Sequence, residues 1–245
     1  MKPQDPQAEK IHKVLARSGL GSRRDVENLV REGRVKVNSH VASIGQRVDS
    51  RARIQVDGKV VKVLGASQGR VIMYHKPVGR ICTRDDPQGR PTVFEELPRL
   101  RGLRWVSVGR LDFNTSGVML FTTDGELANR LAHPSSRIER EYLCRVQGKI
   151  LSEMLDRLRA GVTLDERPAK FESVSYEGGK GSNRWYRVTI MEGRYREVRR
   201  MWSAVGGRVS RLIRVRYGPI VLPRQLKPGA TMDLDKDVVT RLYQS

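Results

Sequence analysis

The stretch that decides the fold is Trp105-Val106-Ser107-Val108-Gly109-Arg110-Leu111-Asp112-Phe113-Asn114-Thr115-Ser116-Gly117-Val118-Met119-Leu120-Phe121. An apolar, strand-like run from Trp105 to Leu111 delivers Asp112 to a tight turn, and a second run, Val118 to Phe121, carries the chain away. Glycines and short polar residues beside an acid favour a sharp reversal. Two readings share Asp112. It caps the turn through its own backbone, or it is a carboxylate held against a substrate that repels it.

The surrounding chain is strongly basic. Among 245 residues, 47 Lys and Arg face 27 Asp and Glu, a formal net charge of +20. The excess is present in both parts, with 14 basic against 7 acidic residues in 1–65 and 33 against 20 in the remainder. A basic tail is therefore not the source, and such a field favours a polyanion, most simply nucleic acid. Two cysteines, Cys82 and Cys144, stand far apart without companion ligands, which fits a reducing compartment and argues against a zinc module or disulfide scaffold. No signal-peptide hydrophobic region and no apolar run of membrane-spanning length occur, so a cytoplasmic protein without a membrane partner is expected.

Working outward from the turn, the larger body reads as α+β. Arg70 to His75 begins it as a strand stopped by Pro77, and Arg80 to Gly89 is a polar connection. After the Asp112 turn, Asp124 opens a short helix that buries Leu127, Ala128 and Leu131. Strands follow at Glu141–Val146, Phe171–Tyr176, Tyr186–Met191 and Val209–Val215, with helices at Leu151–Arg159 and Arg196–Ala204. Many strands with occasional helices favour a mixed, mainly antiparallel sheet over a doubly wound fold. Toward the N-terminus, residues 1–7 are expected to be flexible, 8–64 to form a small module, 65–69 a linker, and 70–245 the larger domain. In the module, one helix from Ala8 to Ser18 faces inward with Ile11, Val14 and Leu15, and a second, capped by Ser22, runs through Glu32 before short strands.

Several catalytic schemes are excluded. His12, His40, His75 and His133 lack metal-ligand spacing, and Asp85-Asp86 has no evident third ligand, so no metal site is expected. A G-x-x-x-x-G-K-[ST] phosphate loop is missing.

The segment Lys13-Val14-Leu15-Ala16-Arg17-Ser18-Gly19-Leu20-Gly21-Ser22-Arg23-Arg24, continued by Gly33-Arg34-Val35-Lys36-Val37-Asn38, resembles the start of an S4 RNA-binding domain. Arginines beside a helix N-terminus suit phosphate contacts, and Lys13, Arg17, Arg23, Arg24, Arg34 and Lys36 are the candidate RNA contacts. Further along, Gly109-Arg110-Leu111-Asp112, Asn114-Thr115-Ser116-Gly117, Arg140-Glu141-Tyr142 and the Glu192–Arg200 segment resemble the signatures of the RsuA/RluB pseudouridine synthase family. Cys82–Phe94 and Phe121–His133 look more like its large-subunit branch than its small-subunit branch. Together with the S4-like front end the likeness covers nearly the whole chain.

The resemblance implies a fold, a reaction and a site. A specified uridine of 23S ribosomal RNA, free or in a large-subunit assembly intermediate, becomes pseudouridine without a cofactor or an obligate protein partner. Asp112 acts as a deprotonated carboxylate, Tyr142 stacks on the base and handles a proton at C5, and Arg199 pairs with Asp112. Lys76, Arg80, Arg110 and Arg196 are further candidate RNA contacts around the pocket. The sequence closes soon after its last expected strand, so the extended basic tail seen in relatives is not expected here. A 16S RNA target, a noncatalytic ribosome-assembly protein and an RNA glycosidic-bond hydrolase remain as alternatives.

Overall fold

In a computed structural model, the structure describes residues 8–63, 69–181 and 183–244. The expected flexible N-terminus over 1–7 and most of the expected linker, 65–68, lie outside the described residues. The chain divides into two compact units. One runs to Arg70 and also takes in Arg99–Val106 and Thr123–Gly125; the other is the remainder.

The first unit contains β1 (Glu9–Lys10), α1 (Ile11–Arg17), α2 (Arg23–Arg31), β2 (Val35–Val37), β3 (His40–Val41), β4 (Arg47–Val48), β5 (Ile54–Val56) and β6 (Lys59–Val61). The first helix begins three residues later than expected because Lys10 is extended (φ −62°, ψ 131°) and β1 pairs with β4. Gly19, at φ +88°, follows the end of that helix. Ser22 then caps α2 in a reciprocal box: its hydroxyl accepts from Asp25 N at 3.1 Å while Asp25 Oδ2 accepts from Ser22 N at 2.5 Å. The antiparallel sheet β3–β2–β5–β6 buries Val35, Val37, Ile54 and Val56 against Ile11, Val14, Leu15, Val26 and Val30. Alternation along β2 puts Val35 and Val37 inside and Lys36 outside, as a half-buried strand requires.

The second unit is built on β7 (Val71–Lys76), β8 (Val106–Val108), β9 (Ser116–Thr122), α3 (Gly125–Ala132), β10 (Arg140–Gln147), α4 (Ser152–Ala160), β11 (Val162–Leu164), β12 (Arg167–Ala169), β13 (Ser173–Lys180), β14 (Asn183–Ile190), α5 (Glu197–Ala204), β15 (Arg208–Tyr217), β16 (Ile220–Val221), β17 (Thr231–Asp233) and α6 (Lys236–Gln244). A nine-stranded sheet has the order β13–β14–β10–β15–β9–β7–β17, with β8 added to β9 and β16 to β15. The β9–β15 pair is parallel, while its neighbours β7–β9, β10–β15 and β10–β14 are antiparallel. The mixed, mainly antiparallel α+β fold is therefore present.

The run expected to be a strand up to Leu111 stops at Val108, because Gly109 turns the backbone into the left-handed region (φ +69°). By contrast β9 is buried along its whole length. On one face of the sheet, α5 inserts Met201 and Trp202, and the Trp202 ring lies 4.9 Å from that of Tyr186 and 6.0 Å from that of Phe171. That packing fixes α5 against β15 and so places its first turn beside the Asp112 turn.

Candidate active site

Asp112 sits in the turn between β8 and β9, and the turn closes through Thr115 N donating to Asp112 O at 3.0 Å. Its carboxylate has no hydrogen-bond or ion-pair partner among the described residues, so the side chain does not cap its own turn. Other groups hold the turn, mostly by its carbonyls. Lys76 ends β7 fully buried, and its Nζ donates to Asp112 O (3.1 Å), Thr115 O (2.9 Å) and Pro77 O (2.9 Å). Arg199, on α5, donates from Nη2 to Asn114 O at 2.8 Å and from Nη1 to Val209 O at 2.9 Å. Arg214, on β15, donates from Nε to Val118 O at 2.8 Å. Just before the turn, Cys82 Sγ lies 3.2 Å from Leu111 O and accepts from Leu111 N at 3.4 Å. Three cations thus hold backbone carbonyls between Asp112 and Val118, and the carboxylate is left for something else.

Two expectations need correction here. Lys76 is not an RNA contact: a side chain with no exposed surface, bonded to the carbonyls of Pro77, Asp112, Phe113 and Thr115, belongs to the scaffold of the turn. Nor does Arg199 form an ion pair with Asp112 among the described residues; its Nη1 and Nη2 are taken by the two carbonyls, its Nε is buried without a partner, and Asp112 acts on it only at longer range. Burial lowers the Arg199 pKa from its ordinary value and Arg196 adds to that, while Asp112 works in the opposite direction. Burial also pushes the Lys76 amine down to about 8, opposed by Cys82 and Asp112.

The turn overlooks a cleft of about 820 Å³, ample for a nucleotide. Its floor is the sheet itself. Along β10 the residues Arg140, Tyr142, Cys144 and Val146 alternate inward, and the register sets Tyr142 against Arg214 of β15. Tyr142 is buried and lines the cleft together with Asp112, and its hydroxyl has no partner among the described residues. Arg110, exposed, and Arg196, half-buried, stand on the cleft wall. Arg196 occupies a left-handed backbone position (φ 48°) at the cap of α5, a conformation that non-glycine residues seldom adopt.

The loop before α5 is braced by Arg194. Its Nε meets Glu192 at 2.7 Å and Glu197 at 3.3 Å, and Glu197 Oε2 accepts from Arg194 N at 3.0 Å. Burial raises the Glu197 pKa, and the bonds from Arg194 oppose this. Asp86 is bound by Arg90 through both carboxylate oxygens (2.8 and 2.9 Å), and that bond brings its pKa down to about 2. Asp112 is thus set apart from these acids of the cleft by its unpaired carboxylate. Among the described residues no group of three His, Cys, Asp or Glu is arranged to hold a metal.

Residues 70–204 match the family described as RNA pseudouridylate synthase, and residues 9–52 match the S4 domain. The chain belongs to the RNA pseudouridylate synthase family. Within that family it is 55% identical over 237 residues to the ribosomal large subunit pseudouridine synthase B of Pseudomonas aeruginosa, covering 96% of this chain and 61% of that protein. The protein of the same description from Escherichia coli (strain K12) is 53% identical over 232 residues, which is 93% of this chain and 80% of its own length. The chain therefore spans only about three fifths of the first of these relatives. A crystal structure of a pseudouridylate synthase superposes with a TM-score of 0.66 at 26% identity, covering 95% of this chain and 99% of that one.

The remaining expected RNA contacts of this pseudouridylate synthase family member fall into two groups. Arg23 and Arg24 are exposed on the first turn of α2 without an ion pair among the described residues, and Lys36 is exposed on β2. Others are already engaged. Arg34 forms a two-point bond to Asp57 (2.7 Å each) and a third to Glu32 (3.0 Å). Arg17 is paired with Glu9 at 2.8 Å, and Arg80 with Glu96 at 2.6 Å. Lys13 is half-buried on α1.

Arg140 and Arg214 were missed as site residues in the sequence. Both occupy the inward phase of an alternating strand, and an arginine at a core position of such a pattern is the signal that points to them.

Proposed function

We propose that this chain converts a uridine of 23S ribosomal RNA to pseudouridine. The observation that carries the reading is the unpaired Asp112 carboxylate, held by a turn whose carbonyls are bound by cations and placed in a cleft with Tyr142 on its floor. Support for the large-subunit target comes from the relatives, which are described as large-subunit synthases. In this reading the base flips into the cleft at a general cost of a few kcal/mol, roughly, and Tyr142 provides an aromatic face for it.

Asp112 serves the sugar. The same position suits attack on C1′ and removal of the C2′ proton. Arg199 and Lys76 keep the turn in place and put positive charge around it. Arg110 and Arg196 on the wall meet the RNA backbone, and Arg23, Arg24 and Lys36 add affinity through phosphates.

The test is nucleotide-resolution mapping of pseudouridine in unmodified 23S and 16S RNA incubated with the wild-type protein or with Asp112→Asn. A wild-type-only mark in 23S RNA is the expected result. A mark confined to 16S RNA would overturn the target, free uracil with an abasic ribose would indicate hydrolysis, and binding without a mark would favour an assembly role.

A further inference from the structure

Two arginines on the floor of the cleft have been given no role toward the substrate so far. Arg140 is 6% exposed and Arg214 is 3% exposed. Both approach Tyr217, with guanidinium carbons 5.2 and 4.8 Å from its ring centre. Arg140 Nη1 is satisfied by Ile138 O and Met191 O, both at 2.8 Å, and Glu197 acts on Arg140 at longer range. Arg214 is not satisfied. Its Nε reaches Val118 O, but its Nη2 is enclosed with no hydrogen-bond partner, and no carboxylate forms an ion pair with it among the described residues.

Removing a guanidinium from water without a counter-ion is costly, and a buried donor without an acceptor adds to the cost. An arginine kept in this state beside a cleft fits an anion that is absent until the cleft is occupied. Position tells which anion. In the sheet Arg214 is paired with Tyr142 on one side and with Gly117, at the end of the Asp112 turn, on the other. It therefore lies between the aromatic face for the base and the acid that serves the sugar. A permanently charged, hydrated phosphate is better met by exposed arginines such as Arg110. An enclosed cation is matched to charge that exists only during the reaction.

We propose that Arg214 is a catalytic residue that carries the negative charge of the detached uracil. The inference rests on the uridine-isomerase reading. When the C1′–N1 bond breaks, its electron pair stays on N1 and spreads onto O2 and O4. C1′ is satisfied either by a bond to an Asp112 oxygen or by transfer of the C2′ proton to Asp112, which leaves a C1′–C2′ double bond. Uracil is an anion while it turns. C5 then gives an electron pair to C1′; the Asp112–C1′ bond breaks or C2′ takes its proton back. The C5 proton departs to a base and N1 gains one, so composition is unchanged. Arg214 faces the oxygen-borne charge through the interval between the two carbon bonds, and Arg140 adds a second positive charge beside it.

The test compares single-turnover rates of wild type, Arg214→Met and Arg214→Lys on 23S RNA transcribed with uridine or with 5-fluorouridine. Fluorine withdraws electron density and stabilises the departing anion without help from the protein. On uridine RNA, Arg214→Met should be slower by about 10²-fold, as for loss of one oxyanion donor, with RNA affinity little changed. On 5-fluorouridine RNA, followed by disappearance of the intact nucleoside, the loss should shrink by about tenfold. Arg214→Lys should recover part of the uridine rate, and if the Met variant does not fold, the Lys variant gives the same comparison. Equal slowing on both RNAs would overturn the inference. So would weaker binding with a flatter salt dependence, the mark of a phosphate seat. A wild-type protein that leaves both RNAs intact would overturn the synthase reading and this inference with it.

Discussion

Lys76 is the residue whose chemistry the fold has changed most. In an unfolded chain its amine holds a proton to the ordinary lysine value of 10.5, whereas burial brings it to about 8 in the folded protein. Between those values the unfolded state binds more protons, so this group makes stability rise with pH across that window. Activity should respond in the opposite direction. The ammonium holds Asp112 O, Pro77 O and Thr115 O, and its deprotonation removes one donor and the positive charge from the turn. We expect kcat to fall above pH about 8 while the urea midpoint does not fall with it. A parallel loss of both would mean that alkaline unfolding, and not the turn, sets the limb. Lys76→Met should abolish the limb along with most of the activity and destabilise the fold by roughly 3 kcal/mol, from carbonyls left without donors. From sequence, Lys76 beside Pro77-Val78-Gly79 looked like a cation offered to RNA. Nothing in the residue type distinguishes a lysine that meets a phosphate from one that meets carbonyls; only the buried register of β7 does.

At the scale of elements, the close approach of β9 and β15 explains Gly117. Its φ is +114°, and a Cβ there would lie 2.1 Å from Arg214 O and 2.5 Å from Arg214 N. Gly117→Ala must therefore push apart the one parallel pair that connects the Asp112 turn to the strand carrying Arg214, and should cost at least about 3 kcal/mol with loss of activity. Gly178→Ala is the control, since φ is similar (+107°) but nothing lies within 4 Å; it should cost about 1–2 kcal/mol and leave activity intact. Equal losses in a urea titration would show that backbone strain alone, and not the strand approach, decides.

Elements with a clear period were legible in the sequence. Residues Leu127, Ala128 and Leu131 of α3 and the strand over Glu141–Val146 read correctly because each buries one face. The β11–β12 hairpin did not, because Asp165 and Glu166 take its two left-handed turn positions (φ 50° and 61°) without the glycine that normally announces them. Among the site residues, Asp112 and Tyr142 were legible through their motifs and meet in one cleft. Arg140 and Arg214 went unread although each falls on the inward phase of an alternating strand, since a charged residue is readily assigned to the solvent face before the strand's neighbours are known.

Over the whole molecule, a charge of +20 makes RNA affinity a matter of salt. What counts for the salt dependence is the number of cations that reach phosphates, and the first unit separates free cations from engaged ones. Arg23 and Arg24 are exposed at the start of α2, where the capped helix end also favours an anion. Arg34 is equally prominent in the sequence but is held by Asp57 and Glu32, which raise its pKa and satisfy its donors. Replacing Arg23 and Arg24 by Ala together should weaken ribosomal RNA binding and reduce the slope of log K against log salt by roughly 0.7–0.9 for each phosphate that is no longer neutralised. Arg34→Ala should leave the slope unchanged, because a guanidinium bound to two carboxylates releases no counter-ion from RNA. A flatter slope in Arg34→Ala would show that Arg34 exchanges its acids for phosphate on binding. At saturating RNA the double variant should retain kcat and show its loss in KM, since Asp112 and the cations that hold its turn belong to the second unit. A fall in kcat would mean that the first unit also shapes the base as it enters the cleft, and would tie RNA capture to the chemistry.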